Sequence, residues 1–183
     1  MIEHLQIVEA DLALPAHGDA VLRLLDAYAC DEMGLGCPLS EDVRERLVEG
    51  LHRHPTRIVF LAQLDTEPVG LAVCFLGYST FAARPLVNIH DLIVHPNFRR
   101  RGVGVRLLAA VESRARELGC CKVTLEVRVD NAAARSLYAA RGFSAGESSY
   151  ELWSKSVDAT PVDTSAADRA YGASFQHVVP RPD

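Results

Sequence analysis

Apolar and polar positions change period several times along the chain, and each change marks an element. Residues 5–9 (LQIVE) read as a short first strand. After Pro15, Val21, Leu24, Leu25 and Tyr28 recur at helical spacing. Residues 33–38 hold Gly34, Gly36 and Pro38 and predict a loop. Ser40 suits the N-cap of a second helix, whose first turn carries Glu41 and Asp42 and which Pro55 stops near His54. Two apolar runs, 57–64 and 69–78, flank the polar turn Asp65-Thr66-Glu67-Pro68 and predict an antiparallel hairpin. A loop at 79–85 leads to a third run, 86–94, which ends at His95-Pro96 because proline cannot donate to a ladder.

Downstream, Val103, Leu107, Leu108, Val111, Ala115 and Leu118 mark an amphipathic helix, with Gly119 placed for a left-handed C-cap. Val123, Leu125, Val127 and Val129 alternate with Lys122, Thr124, Glu126 and Arg128 at the period of a strand. Asn131 caps a further helix to about Arg141, and Gly142 ends it. Residues 150–155 read as a last strand; from Ser156 the pattern fails. Strand–helix–strand–helix over 86–141 implies a βαβ unit with a parallel strand pair, whereas the hairpin before it implies antiparallel pairing. The expected class is mixed α/β: a mostly antiparallel central sheet with helices on both faces. The expected organisation is one domain, 1–155, and a tail, 156–183, that packs on the domain or on a partner subunit.

Composition narrows the partners. With 183 residues, 49% apolar and 23% charged, the chain suits one folded domain and not a disordered one. It has no apolar run long enough to span a membrane and no basic, apolar leader at its start, so neither membrane nor secretion is expected. A net charge of −5 argues against nucleic acid, whose phosphates need a basic face. Five cysteines, with no CxxC, fit free thiols in a reducing cytosol better than a disulfide framework or a zinc site. No metal is expected: His52 and His54 flank Arg53 without further ligands.

Candidate chemistry lies in Arg99-Arg100-Arg101-Gly102-Val103-Gly104, between a strand and a helix. Amides at a helix start are unpaired and lie at the positive end of the dipole, and glycine lets backbone approach a ligand. The natural guest is a phosphate or pyrophosphate; as bare spacing, the segment also fits a solvated basic turn. It is neither a Walker A loop nor the dinucleotide GxGxxG, since position 107 is Leu.

Two motifs change its weight. Arg99, Gly102 and Gly104 meet R/Q-x-x-G-x-G/A, and Asn131, Ala134, Tyr138, Gly142 and Phe143 meet N-x-x-A-x-x-x-Y-x-x-x-G-F. In order and setting they resemble the GNAT superfamily of N-acetyltransferases, strongly over residues 86–143. That resemblance implies the GNAT fold, with two splayed parallel strands at a bulge, and acetyl-CoA as cosubstrate. It implies that Arg100, Arg101, Gly102, Val103, Gly104 and Val105 cradle the pyrophosphate, with Arg99 and Arg101 as charge partners. Leu92, Ile93 and Val94 would hold the pantetheine and the thioester carbonyl through their backbone, where an N–H stabilises an oxyanion. Asn131 and Ala134 would contact the cofactor, and Tyr138, two turns from Asn131, would reach its sulfur. A phenol near pKa 10 can hold its proton until a thiolate of about 8.5 forms. Taken alone, Tyr138 also fits a core aromatic.

An amine acceptor must lose a proton before it attacks. With a pKa near 10.4, about 1 in 2,500 is neutral at pH 7, an equilibrium worth roughly 4–5 kcal/mol. His90 and Asp91 are the candidate bases, directly or through water; each also fits a structural role. Neighbouring strand residues point to opposite faces, so the two are not expected to share the substrate side unless a bulge intervenes. A weaker likeness, through Tyr78-Ser79-Thr80-Phe81, Pro85 and Asn88-Ile89-His90-Asp91, is to diamine and polyamine acetyltransferases. An acidic pair stands there where this chain has His90 and Asp91. Asp31 and Glu32 either attract a cation or form a solvated helix end. The expectation is a cytoplasmic, homodimeric N-acetyltransferase working by direct attack on a small amine. The alternatives are a protein lysine or N-terminal acetyltransferase and a non-catalytic acyl-CoA-binding regulatory module.

Overall fold

The expected hairpin is the centre of the sheet. In the computed structural model, which describes residues 4–145 and 153–156, β1 (Leu5–Glu9), β2 (Arg57–Leu64), β3 (Glu67–Ser79), β4 (Arg84–Val94) and β5 (Val123–Leu125) stand in that order across one sheet. The first three pairings are antiparallel and β4–β5 is parallel. Both hairpins are tighter than the sequence predicts. Asp65 takes a left-handed φ of 56°, so Thr66 completes the turn and Glu67 and Pro68 join β3. The register irregularity between Ala62 and Gln63 accommodates Pro68. Ala83, at φ 47°, likewise lets β4 begin at Arg84 rather than at 86.

Alternation along β3 separates two cores. Leu71 and Val73 join Val59, Leu61 and Ile93 beneath Val21 and Leu24 of α1 (Pro15–Ala29). Gly70 faces the other way, onto α3 (Val103–Glu117): a Cβ there would lie 2.9 Å from Val103 Cγ1 and 3.1 Å from Leu107 Cδ1. Leu107, Leu108 and Val111 of α3 are buried on that side. Helices thus cover both faces, as the pattern predicts. The second helix, α2 (Glu41–Arg53), has no fully buried residue and rests Leu47 and Leu51 on the α1 side. Ser40 precedes it without a side-chain capping bond, because its first turn is exposed and water can satisfy the amides. The cap on α4 (Ala132–Ala140) does form: Asn131 Oδ1 accepts from Ala134 N–H at 3.0 Å.

The strand expected over 122–129 is cut to three residues. β5 follows β4 only through Val87↔Val123, Asn88↔Thr124 and Ile89↔Leu125. At the next residue of β4 the ladder to β3 slips, and the parallel pair parts. No described helix is long and apolar enough to cross a membrane. Residues to Arg141 form one compact unit and those from Gly142 a second. In the second unit, 142–145 and 153–156 carry no regular element. Residues 150–152 of the expected last strand, and the tail from 157, lie outside the described residues.

Two glycine substitutions should move stability in opposite directions. Gly70→Ala drives a methyl against Val103 Cγ1 and to 3.0 Å from the Ile93 carbonyl oxygen, and should destabilise by about 1–3 kcal/mol. Gly50→Ala lies within α2 with nothing within 4 Å of its new Cβ, and should stabilise by about 0.5–1 kcal/mol. Thermal unfolding of both variants beside the wild type checks the pair.

Candidate active site

The site is built around one extra residue. Val73 pairs with Asp91 and Cys74 with Ile89, which leaves His90 as a bulge in β4. The first effect is on the backbone edge. Before the bulge, Val87 N–H donates to Lys122 O at 3.2 Å and Pro85 O accepts from Cys121 N–H at 2.8 Å, so odd-numbered residues face β5. After it, His95 N–H donates to Val69 O at 2.9 Å. By strand alternation Ile93 also faces β3, and Leu92 and Val94 turn their peptide groups to the gap that β5 has left. Of the three residues expected to hold a ligand through the backbone, Leu92 and Val94 are the two that face the gap, although the Val94 carbonyl already accepts from Arg99.

The second effect is on side chains. The His90 ring meets the Phe75 ring edge-on, 5.7 Å between centroids, and Phe75 packs against the α1-side core. Asp91 shares a cavity wall with Leu25 and Tyr28 of α1. Both therefore lie on α1's face, contrary to the expectation from simple alternation, because the bulge resets the strand's parity between Ile89 and Asp91.

A cleft of about 490 Å³ opens along the unpaired edge. Leu92, Ile93 and Val94 line one side, Arg99, Arg100 and Gly102–Val105 the turn, and Asn131, Ala134, Leu137 and Tyr138 the other. The ladder of α3 starts with Arg106 N–H on Gly102 O at 3.1 Å, so the amides of Gly102–Val105 precede it and lie along the cleft. Gly102 has φ +87°, a conformation costly for any residue with a Cβ. Gly104 serves close approach: a Cβ there would lie 3.0 Å from Leu137 Cδ2 and 3.7 Å from Val94 Cγ2. A run of unpaired amides, glycines and an open strand edge in one cleft fits coenzyme A, with its pyrophosphate and its amide-bearing arm.

The three arginines divide their work. Arg99 turns back, donating from Nε to Val94 O at 3.1 Å and from Nη2 to Asp31 Oδ2 at 2.7 Å. Arg101 lies over the Phe98 ring, 5.5 Å from its centroid, and does not line the cleft. Arg100, with φ 63°, does line it. Asp31 is accordingly neither a solvated helix end nor an open cation site. The Met33 N–H and Arg99 hold its carboxyl below the usual range, and it ties the loop after α1 to the turn before α3. Asn131 lines the cleft, but its Oδ1 caps α4, which leaves the carboxamide Nδ2 for a ligand.

Tyr138 is 9% exposed and lines the same cleft as Asn131. Burial, then Tyr28, raises its pKa. Tyr28 was read from the sequence only as part of α1's apolar stripe. Its hydroxyl donates to Met33 O at 3.4 Å, and both residues line this cleft and a second cavity of about 320 Å³. The helical spacing that placed Tyr28 was right; nothing local announces that the loop after α1 folds over it. Asp91 lines the second cavity. Burial raises its pKa, and His90 opposes the shift. Burial raises that of Tyr28 too, followed by Asp91 and Asp31. The Cys74 thiol is pushed up to about 12 by burial and by Asp91. Among the described residues no three His, Cys, Asp or Glu gather as metal ligands.

Known proteins share the fold and parts of the sequence. The family described as "Acetyltransferase (GNAT) family" matches residues 22–143. An uncharacterized N-acetyltransferase of Methanocaldococcus jannaschii is 33% identical over 85 residues, which is 46% of this chain and 38% of the relative. An aminoglycoside N(6')-acetyltransferase type 1 of Stenotrophomonas maltophilia is 30% identical over 122 residues, 64% of this chain and 80% of the relative. The chain thus spans well under two thirds of the archaeal relative and most of the bacterial one. Among solved structures, an aminoglycoside acetyltransferase from an uncultured soil metagenomic sample, in complex with sisomicin, superposes with a TM-score of 0.70. It is 21% identical, and the match covers 84% of this chain and 97% of that one. Open strand edge, amide-lined turn and both sequence motifs fall within the matched span: the chain belongs to the GNAT acetyltransferase family.

Proposed function

We propose that this chain is an acetyl-CoA-dependent N-acetyltransferase that passes the acetyl group directly to a small primary amine. The observation that carries the reading is the His90 bulge. It opens the Leu92 and Val94 edge toward Tyr138 and turns Asp91 toward Tyr28, so that two cavities meet at Tyr28 and Met33. Acetyl-CoA, when bound, supplies an activated acetyl group. The amides of Gly102–Val105 and the Arg100 guanidinium would hold its pyrophosphate, and the Leu92 peptide group and the Val94 N–H its amide-bearing arm. Asp91 would accept the acceptor ammonium's proton, with exposed His90 passing it to water. Tyr138 would donate its proton to the leaving sulfur. Cys74 takes no part, since a thiol held near 12 is protonated at neutral pH; that supports direct transfer. The relatives named for aminoglycoside acetylation support a small-molecule amine acceptor. Free thiols at all five cysteines and the family resemblance support a cytoplasmic protein, and the resemblance also supports a homodimer.

Tyr138→Phe should leave acetyl-CoA affinity, by calorimetry, within about twofold and lower kcat about 100-fold. Equal loss of binding would make Tyr138 a packing residue instead.

Asp91→Asn should separate stability from activity. The folded chain binds the Asp91 proton more tightly than the unfolded chain does, because burial raises this carboxyl from 3.8. Folding is therefore penalised above the raised pKa and not below the ordinary value. The variant should melt higher than wild type at pH 8, with the gap closing toward pH 4. It should also lose the limb of the pH–rate profile that rises as the carboxyl ionises. A lower melting temperature at pH 8 would show that Asp91 is a structural carboxylate.

A further inference from the structure

The mechanism uses Asp91 from the second cavity and leaves the rest of its wall unexplained. That wall is apolar: Leu25, Met33, Leu35, Leu39 and Leu47 dominate it. The carboxylates of the neighbouring helix and loop are engaged elsewhere. Asp26 pairs with Arg44 at 2.6 Å and accepts the Leu39 N–H at 3.0 Å. Asp31 pairs with Arg99 at 2.7 Å and accepts the Met33 N–H at 3.0 Å. Each pair fixes the backbone of a wall residue while an arginine balances its charge. Among the described residues, Asp91 is the one carboxylate that lines the cavity.

We infer that this cavity takes a monoamine: one primary ammonium on an apolar aliphatic or aromatic body, with the ammonium at Asp91 and the body among the leucines. The inference rests on the acetyl-transfer reading of the same site. A second ammonium would leave water with no carboxylate to meet it, which is costly. Each methylene placed on the leucine wall should instead raise specificity about fourfold. At about 320 Å³ the cavity is at the small end for ligand sites. A polyamine or an aminoglycoside brings several ammoniums to this single carboxylate, and the apolar wall satisfies none of the aminoglycoside's hydroxyls.

The test is thiol release from acetyl-CoA by the full chain. Its acceptors are n-propylamine to n-hexylamine, phenethylamine, the matching terminal diamines, spermidine and kanamycin. The expected result is kcat/KM rising about fourfold per methylene along the monoamines, with hexane-1,6-diamine at least tenfold poorer than hexylamine. Leu35→Asp alters a cavity residue that is 71% exposed, so the fold should tolerate it. With a second carboxylate at the wall it should narrow that gap at least tenfold. A diamine, spermidine or kanamycin matching the best monoamine in the wild type overturns the inference. If no amine is acetylated, calorimetry of hexylamine with the coenzyme A-saturated protein separates the two failures. Binding that weakens in Leu35→Asp upholds the ligand class and removes the acetyl-transfer reading. No binding overturns the ligand class itself.

Discussion

A strand can present one backbone edge and one side-chain face only by keeping its parity, and this site needs β4 to break it. His90 inserted opposite the Val73–Cys74 step does so. Upstream, β4 gives its outer peptide groups to β5; downstream, no strand pairs with them, and Arg99 takes the Val94 carbonyl. The same inserted residue carries Asp91 across to α1. The parting of β4 and β5, the open edge and the half-buried carboxylate are thus consequences of a single irregularity.

What flanks the opening follows from close packing. Gly104 lets α3 approach Leu137 of α4 and Val94 of β4, which keeps the α3 amides beside the strand edge. Gly70 does the same beneath, where Val103 and Leu107 sit down on β3. The amides and the strand edge are therefore set by the rigid part of the chain. On the other side, the loop after α1 is held by Tyr28, Asp31 and their partners. The half-buried Asp91 carboxyl stands between these walls, and desolvation there raises its pKa.

Most of the fold was legible because its elements repeat a period. The apolar stripe of α3, the Asn131 cap and the presence of the four strands β1 to β4 all follow from local pattern. The lengths of β3, β4 and β5 were not, since they depend on left-handed turn residues at Asp65 and Ala83 and on a partner strand that diverges. In the site, the motif glycines were legible from the requirement for unpaired amides. The roles of Arg99 and Asp31, 68 positions apart, were not, since no local rule pairs them. Nor does alternation locate a bulge: IHD reads the same with or without one.

The Arg99 contacts bear on what the sequence signature itself reports. Its guanidinium grips Val94 O and Asp31, both parts of this chain. The first letter of the motif therefore records an architectural joint. A descendant that abandoned acetyl transfer would still need that joint to keep its turn and its loop in register, and would go on displaying the motif. In this chain the arginine of R-x-x-G-x-G testifies to how the backbone is hinged, and the glycines after it border the cleft.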